Sequence, residues 1–352
     1  MIQDHALEPK VDYYGTTRYW NELPAVVRYL SRRSTGSDDE GWGKYLKRRY
    51  CAEPKQKALV IGCGNGWVER SMMDIGLVAS VDAFDIDPAN IARAEQERGD
   101  RDINYLVSDF KSFIPQRKYD FIVNFAALHH AEYLYRVCDM LGDALTPDGI
   151  FFNWEYVGPD RNQYGPAQMA AMHAVQSALP LRFRSTYPLR ASLGLMVRED
   201  KTEAVHSSEV VRAVGLYFDV IEHHELGGGI AYQILWNNID EIEKDDEEAT
   251  HWLAWLLEQD ERALLDDAIP SSFAFFVATK KRTPVRQVRR YLRYVKEPAR
   301  ERFSMLTGGL YPREIVSAAA RHQIWKPRTL VREGKYHARA LLLRRRRQVQ
   351  AR

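Results

Sequence analysis

Long apolar runs, cysteine and net charge are all scarce in this 352-residue chain. No stretch approaches the roughly 18 apolar residues of a membrane-spanning helix, so we expect no transmembrane segment. Only three cysteines occur, and they lie far apart, which argues against a disulfide framework or a zinc knuckle and is typical of a reducing compartment. The first residues, MIQDHALEPK, lack the basic start and apolar run of a secretory signal. We therefore expect a cytoplasmic protein.

The net charge of +2 hides a strong asymmetry along the chain. Residues 280–352 contain 22 Lys and Arg and 4 Asp and Glu, a net charge of +18. Residues 1–279 contain 28 basic and 44 acidic residues, a net charge of −16. The chain is therefore predicted to be an acidic body followed by a basic extension.

Strand-like and helix-like segments alternate in the body of the chain. Buried-strand patterns occur in KALVIG, VDAFDID, INYLVSD, YDFIVNF and GIFFNWEYV, and helix patterns separate most of them. This alternation predicts parallel crossover units and an α/β sheet with helices on both faces. Strand patterns return in DVIEHHEL and SFAFFVATK. We predict a helical lead-in at 1–50, an α/β domain at 51–281 with an insertion at about 158–206, and a basic extension at 282–352.

The first strand pattern ends in a glycine-rich turn, GCGNG. Gly62, Gly64 and Gly66 fit G-x-G-x-G, whereas a dinucleotide site has G-x-G-x-x-G, and here that last position is Trp67. Glycine is needed where φ is positive or where a ligand approaches the backbone closely. The turn therefore argues against NAD and for a ligand without a pyrophosphate. A plain tight turn is the alternative.

Acidic residues follow the next two strand patterns. Asp85 lies 19 residues after Gly66, where a carboxylate can accept hydrogen bonds from ribose hydroxyls. Asp109 and Phe110 offer an acceptor for an adenine amino group and an apolar face for its ring. Because parallel strands bring their carboxyl ends to one edge, these groups predict a single crevice. Asp87, directly before Pro88, is predicted to cap a helix instead.

Five stretches together resemble the class I S-adenosylmethionine-dependent methyltransferases: VIGCGNG, FDIDPANIARA, LVSDF, YDFIVNFAALHH and LTPDGIFF. GCGNGWVER, AALHHAE and EYVGPDRNQ further resemble a bacterial subgroup found in surface-polysaccharide settings. The resemblance implies a doubly wound, mostly parallel, seven-stranded Rossmann-like sheet with a helical insertion and a basic helical C-terminal extension. It also implies S-adenosylmethionine as the cofactor, and from the residues themselves we expect no metal site.

The resemblance also implies which residues bind the cofactor. They are Gly62, Cys63, Gly64, Gly66, Asp85, Ile86, Asp109, Phe110 and Asn124. Two positions depart from the family pattern. Val60 replaces an acid that many members carry two residues before the first glycine, and we consider Glu69 as a substitute. Lys201 replaces a proline of the subgroup, which predicts a differently shaped insertion.

Methyl transfer to oxygen or nitrogen often needs a base that removes a proton. His129 and His130 follow the fourth strand pattern and Glu155 ends the fifth, so these three are the candidate catalytic residues. Adjacent residues point in different directions, and we slightly favour His130. Capping or packing roles are the alternatives. In the stretch EHHEL, His223 and His224 should point to opposite sheet faces and so should not share a metal ion.

Aromatic residues are frequent in the lead-in. Tyr13, Tyr14 and Trp20 are predicted either to cover the cofactor or to pack in the core.

The basic extension combines apolar residues at helical spacing with arginine clusters, in PVRQVRRYLRYVKEP and ARALLLRRRR. Such helices bind anionic membrane surfaces, which is the interpretation we prefer. Docking on the acidic stretch 239–248, within the chain or between copies in a homo-oligomer, is a second interpretation. Nucleic acid is the third, because arginine clusters bind phosphates, although aromatic residues are not interleaved with them here.

The resemblance implies O-methylation of a sugar hydroxyl, in a surface glycan or a glycosylated metabolite, as in polysaccharide biosynthesis. The enzyme would be cytoplasmic, and its extension would hold it at the inner face of the membrane. RNA or other nucleic-acid methylation is an alternative supported only by the extension, because NFAALHH stands where base-methylating enzymes have N/D-P-P-Y/F. A non-catalytic cofactor-binding scaffold is a third possibility.

Overall fold

A computed structural model describes residues 19–184, 188–242, 244 and 246–281. Among these residues the chain divides into two units, a larger one within 19–190 and 204–281 and a smaller one at 191–203. The predictions for Tyr13 and Tyr14 and for the basic extension at 282–352 lie outside the described residues.

Seven strands of the larger unit form one sheet in the order β3-β2-β1-β4-β5-β7-β6. The strands are β1 Ala58–Ile61, β2 Val81–Asp85, β3 Ile103–Val107, β4 Tyr119–Phe125, β5 Leu145–Tyr156, β6 Phe218–Gly227 and β7 Phe273–Lys280. Strands β1 to β5 run parallel, and β7 is antiparallel to both β5 and β6. The carboxyl ends of the five parallel strands therefore share one edge. The predicted fold class is confirmed for the sheet.

Helices cover both faces of this sheet. Those of the larger unit are α1 Pro24–Thr35, α2 Trp42–Tyr50, α3 Trp67–Asp74, α4 Pro88–Glu97, α5 Leu134–Ala144, α6 Pro166–Ala178, α8 Val210–Tyr217, α9 Ala231–Ile242 and α10 Glu247–Leu265. Helices α1 to α4, α6, α9 and α10 contribute to one apolar core, and α5 and α8 contribute to the other. A doubly wound arrangement follows, because each face buries its own core.

Local sequence explains where α4 begins. The Asp87 carboxylate accepts a hydrogen bond from the Ala89 amide at 2.9 Å, and Pro88 occupies the first helical position, as predicted. An aspartate cap also begins α10, where the Asp246 carboxylate accepts a hydrogen bond from the Ala249 amide at 2.8 Å. Each cap satisfies an amide that the helix itself leaves without a partner.

The lead-in helices pack on the sheet. Trp42 stacks on Phe152 with 5.3 Å between ring centroids, and Arg33 of α1 donates two hydrogen bonds to the Glu225 carbonyl of β6. Trp20 is buried and contacts Phe273 at 5.3 Å. Of the two roles predicted for Trp20, the structure shows core packing.

Between β5 and α8 lies the predicted insertion. Its part in the larger unit contains α6, which begins with Pro166 at the first helical position. The described part of the smaller unit contains α7, Leu193–Glu199, followed by a turn in which Asp200 accepts hydrogen bonds from Thr202. Among the described residues, the helices fall short of the length and apolarity needed to cross a bilayer.

Candidate active site

The glycine turn after β1 has the conformation that its sequence predicts. Gly62, Gly64 and Gly66 have φ of 59°, 55° and 82°, the left-handed region that suits glycine. A Cβ at Gly62 would lie 2.6 Å from the Cβ of Ala127, in the turn after β4. The Cys63 amide donates to the Phe84 carbonyl at 2.9 Å and so ties the turn to β2. The turn is thus held between the ends of β2 and β4.

Asp85 lies where β2 ends, beside the glycine turn. One carboxylate oxygen accepts from the Gly64 amide at 2.9 Å, and the other accepts from the Asp87 amide at 2.9 Å. Ile86 follows it with 58% of its surface exposed. The structure therefore brings together an acceptor, an exposed apolar side chain and the glycine turn.

Asp109 and Phe110 follow β3, next to β2 in the sheet. The Asp109 carboxylate accepts from the amides of Lys111 at 3.1 Å and Ser112 at 2.7 Å. Burial raises its pKa, but the hydrogen bonds from Ser112 and Lys111 outweigh burial and bring the pKa below its ordinary value. Phe110 contacts Phe84 edge to face at 5.7 Å. Asp109 therefore stays ionised and also stabilises its own turn.

Glu69 lies in the first turn of α3, immediately after the glycine turn, and is fully buried. Tyr105 and Cys63 lie beside the carboxylate, but within the described part of the chain neither oxygen accepts a well-formed hydrogen bond. Burial raises the pKa of Glu69 to about 7, although its own backbone amide and then the charge of Arg70 oppose the rise. Val60 is buried in the same core. Glu69 thus brings a carboxyl close to the turn but below its surface.

Glu155 and His129 form the most tightly connected pair at this edge. His129 Nδ1 lies 2.5 Å from Glu155 Oε1, and the carboxylate also accepts from the amides of Tyr156 at 2.6 Å and Leu128 at 2.8 Å. Burial alone raises the pKa of Glu155. The charge of His129 and the hydrogen bonds to the carboxylate outweigh burial, so this pKa lies below its ordinary value. Glu155 is therefore an ionised, buried acceptor.

His130 occupies a different position from His129. Its ring centroid is 4.2 Å from that of His129, and its amide donates to the Ala127 carbonyl at 3.0 Å. We expected His130 to be the better candidate base, but the buried carboxylate binds the ring of His129. The backbone explains the difference, because Ala126 has φ of 53° and turns the chain sharply into the short helical turn Leu128–His130.

Asn124 lies near the end of β4, as expected, and its side chain makes hydrogen bonds within the protein. Its amide group donates to Asn153 and Glu155, and its carbonyl oxygen accepts from the Ala127 and Leu128 amides. Asn124 is fully buried, and these four contacts use its whole hydrogen-bonding capacity. The cofactor contact expected of Asn124 stays a prediction, and in the structure its side chain holds Glu155 and the turn after β4.

The two histidines of EHHEL lie on opposite faces of β6, as predicted. His223 pairs across the sheet with Phe276 and His224 pairs with Phe275. His224 Nε2 lies 2.6 Å from Glu222 Oε1. Burial lowers the pKa of His223.

Residues 59–153 match the family model of a methyltransferase domain. This stretch begins in β1, contains the glycine turn, Asp85, Asp109 and His129, and ends in β5. The match supports methyltransferase activity with S-adenosylmethionine as the cofactor, and the predicted domain bounds of 51–281 stay a prediction. The bacterial subgroup remains a resemblance.

Curated relatives are similar over part of the chain. A malonyl-[acyl-carrier protein] O-methyltransferase of Anoxybacillus flavithermus is 36% identical over 71 residues, which are 20% of this chain and 27% of that protein. An uncharacterized methyltransferase of Mycobacterium tuberculosis is 30% identical over 105 residues, which are 30% of this chain and 52% of that protein. The chain thus spans about a quarter to a half of the length of these relatives.

Two solved structures are similar to this chain in fold. The plantazolicin methyltransferase BpumL, in complex with SAH, has a TM-score of 0.39 and 14% identity, with 74% of this chain and 87% of that chain covered. The [4+2]-cyclase SpnF has a TM-score of 0.41 and 13% identity, with 68% and 80% covered.

The residues around the glycine turn fit an adenosyl cofactor of a methyltransferase domain. The three glycines have positive φ, a Cβ at Gly62 would clash with Ala127, and the Asp85 carboxylate accepts a hydrogen bond from the Gly64 amide. Ile86 and Phe110 supply apolar surface at the ends of the next two strands. Gly62, Gly64, Asp85, Ile86 and Asp109 are the residues that would hold the cofactor.

Proposed function

We propose that this protein is an S-adenosylmethionine-dependent O-methyltransferase in which His129 removes a proton from an acceptor hydroxyl. The distance of 2.5 Å between His129 Nδ1 and the buried Glu155 Oε1 carries this proposal. An ionised Glu155 accepts a hydrogen bond from Nδ1–H, which keeps the proton on Nδ1 and leaves Nε2 as the basic nitrogen of a neutral imidazole. Such a base assists acceptors that must lose a proton to become nucleophilic.

S-adenosylmethionine supplies the methyl group as a sulfonium. In the transfer, the acceptor O–H bond breaks and its proton goes to His129 Nε2, while the oxygen forms the bond to the methyl carbon. Bound S-adenosylmethionine would give up the methyl carbon, and the electron pair of the broken carbon–sulfur bond would stay on the sulfur of the departing S-adenosylhomocysteine. Glu155 orients the ring and stabilises the imidazolium that forms, because its carboxylate is already ionised.

The acceptor that we propose is a sugar hydroxyl, in a surface glycan or a glycosylated metabolite. The resemblance of GCGNGWVER, AALHHAE and EYVGPDRNQ to the polysaccharide-associated subgroup supports this class. A hydroxyl also explains a positioned base, since an alcohol is not ionised near neutral pH. The relatives named for malonyl-[acyl-carrier protein] suggest a carboxylate acceptor as a second candidate. A carboxylate is already ionised at neutral pH and would not need His129.

Calorimetry tests the cofactor half of this proposal. Wild-type protein should bind S-adenosylmethionine and S-adenosylhomocysteine but not NAD, and Asp85→Ala should weaken that binding. Asp87→Ala is the matched control: it removes the cap of α4 and costs about 1 kcal/mol of stability, with cofactor affinity retained. Binding of NAD, or equal affinity in wild type and Asp85→Ala, would contradict the proposal.

Methyl transfer from labelled cofactor tests the acceptor half. With hydroxyl acceptors such as oligosaccharides, His129→Ala should lower kcat about 10²- to 10⁴-fold, and His130→Ala should have a smaller effect. With a malonyl thioester, His129→Ala should change little. Full turnover of both variants on every hydroxyl acceptor would refute the assignment of a histidine base.

The basic extension is proposed to bind anionic membrane surfaces. The net charge of +18 from residue 280 onward supports this, since each Lys or Arg contributes about 1 kcal/mol near such a surface. The full chain should float with vesicles that contain anionic lipid and not with neutral vesicles, and alanines at Arg344, Arg345, Arg346 and Arg347 should weaken flotation. Binding to RNA without flotation would instead favour the nucleic-acid alternative.

A further inference from the structure

The Asn124 side chain contacts Glu155 and also the backbone that leads to His129, the two residues of the proposed base. Nδ2 donates to Asn153 Oδ1 at 3.1 Å and to Glu155 Oε2 at 2.9 Å. Oδ1 accepts from the Ala127 amide at 3.2 Å and from the Leu128 amide at 3.0 Å. One side chain therefore contacts both the carboxylate and the backbone that leads to His129.

The backbone that Asn124 holds is in an unfavourable conformation. Ala126 has φ of 53°, a left-handed conformation that is uncommon for residues other than glycine. Its amide donates to the Trp154 carbonyl at 2.7 Å, and the next two amides donate to Asn124. These three hydrogen bonds hold the turn in place, and the turn fixes the position of the His129 Cα and Cβ atoms.

The carboxylate that Asn124 holds is fixed at both oxygens. Oε2 accepts from Asn124 Nδ2 and the Leu128 amide, while Oε1 accepts from the Tyr156 amide and faces His129 Nδ1. Asn124 thus stops the carboxylate from rotating away from the ring. The turn sets the position of His129, and the carboxylate sets the tautomer of its ring.

We propose that Asn124 is a positioning residue that holds His129 in its Nδ1-protonated tautomer, by orienting the Glu155 carboxylate and fixing the turn after β4. This inference rests on the proposed function, because it gives Asn124 a task in the action of the base. It replaces a contact with cofactor, for which the side chain has no remaining donor or acceptor.

Nuclear magnetic resonance of ¹⁵N-histidine protein reads the tautomer directly. The His129 signals are assigned by comparison with His129→Gln, and wild type should show Nδ1 protonated at a pH where the ring is neutral. Asn124→Ser keeps an oxygen near the turn but removes both amide donors, so the Nδ1-protonated form should cease to be the main tautomer. Asn238→Ser is the matched control: Asn238 is also buried and donates to the Ile234 carbonyl, within α9.

Calorimetry with S-adenosylhomocysteine separates positioning from cofactor binding. Asn124→Ser should bind this probe with the affinity of wild type while the His129 tautomer changes. An unchanged tautomer in folded Asn124→Ser overturns the proposal, and so does a loss of S-adenosylhomocysteine affinity without a tautomer change. If Asn124→Ser does not fold, Asn153→Ala removes the acceptor that orients the Asn124 amide and should shift the tautomer in the same direction. No shift in that variant also overturns the proposal.

Failure of the proposed function would look different. Wild-type protein that binds neither S-adenosylmethionine nor S-adenosylhomocysteine would refute the proposed function. The effect of Asn124→Ser on the His129 tautomer would still be measured in that protein.

Discussion

Two buried glutamates lie near the carboxyl edge of the sheet, and they differ in what surrounds their carboxylates. Glu155, at the end of β5, accepts hydrogen bonds from Asn124 and from the amides of Leu128 and Tyr156, and contacts His129. Glu69, below the glycine turn, has no hydrogen-bond partner for either oxygen among the described residues. Both side chains are fully buried.

Burial therefore does not decide the charge of these groups. It raises both pKa values, but the interaction with His129 and the hydrogen bonds from Asn124 and the Tyr156 amide bring the pKa of Glu155 below its ordinary value, whereas the pKa of Glu69 rises to about 7. The groups around Glu155, at the ends of β4 and β5, stabilise its negative charge. The groups around Glu69, beneath the glycine turn, do not, and its pKa of about 7 makes it partly protonated near neutral pH.

The largest predicted effect comes from removing Glu155, whose carboxylate oxygens both accept hydrogen bonds. Glu155→Ala leaves the Asn124 amide group and two backbone amides buried without their acceptor, and should lower the free energy of unfolding by about 3–5 kcal/mol. Urea unfolding at pH 7 measures this. Glu53→Ala, at an exposed position, should change little. A loss no larger than that of Glu53→Ala would mean that the donors find other partners.

The second prediction concerns Glu69 and how its contribution to the free energy of unfolding changes with pH. The pKa of Glu69 is about 7 in the folded chain and 4.5 ordinarily, so folding takes up a proton between these values. Its contribution to the free energy of unfolding is fully present below pH 4.5 and is lost as pH rises through 7, about 3 kcal/mol in all. Glu69→Gln removes this loss and should be more stable than wild type at pH 8 by up to about 3 kcal/mol.

Unfolding curves at several pH values between 5 and 8 check this sign. The difference between Glu69→Gln and wild type should grow with pH, while Glu53→Gln should follow wild type throughout. Parallel curves for Glu69→Gln and wild type would show that Glu69 does not titrate in this range.

Sequence reasoning predicted the parts of this edge that depend on local chemistry. Glycines with positive φ, Asp87 capping α4 and Asp85 at the end of β2 follow from residue type and spacing. The choice between His129 and His130 could not be predicted, because it depends on the left-handed Ala126 and on a carboxylate 26 residues away in sequence. The role of Asn124 was missed for the same reason. Only its place directly before a strand end, three residues ahead of a turn, hinted at a capping contact.

The burial of Glu69 could not be predicted from the sequence either. Its place in the first turn of a helix is typical of an exposed acid that interacts with the helix dipole. The side chain instead points into the core beside Tyr105 of β3, because α3 crosses from β1 to β2 and packs this face on the sheet. Such burial depends on how two distant strands and a helix meet.

The smallest predicted effect extends the comparison to hydroxyl groups. Tyr29 donates to the Asp260 carboxylate at 2.9 Å, whereas the buried Tyr105 hydroxyl has no hydrogen-bond partner within the part of the chain that the structure describes. Tyr105→Phe removes a hydroxyl that makes no well-formed hydrogen bond within the described residues, and should change the free energy of unfolding by less than about 0.5 kcal/mol. Tyr29→Phe is the matched control and should cost about 1.5–3 kcal/mol, because its bond is to a charged group. Equal losses in urea unfolding of the two variants would mean that the Tyr105 hydroxyl is satisfied in solution, and would place a donor beside Glu69 as well.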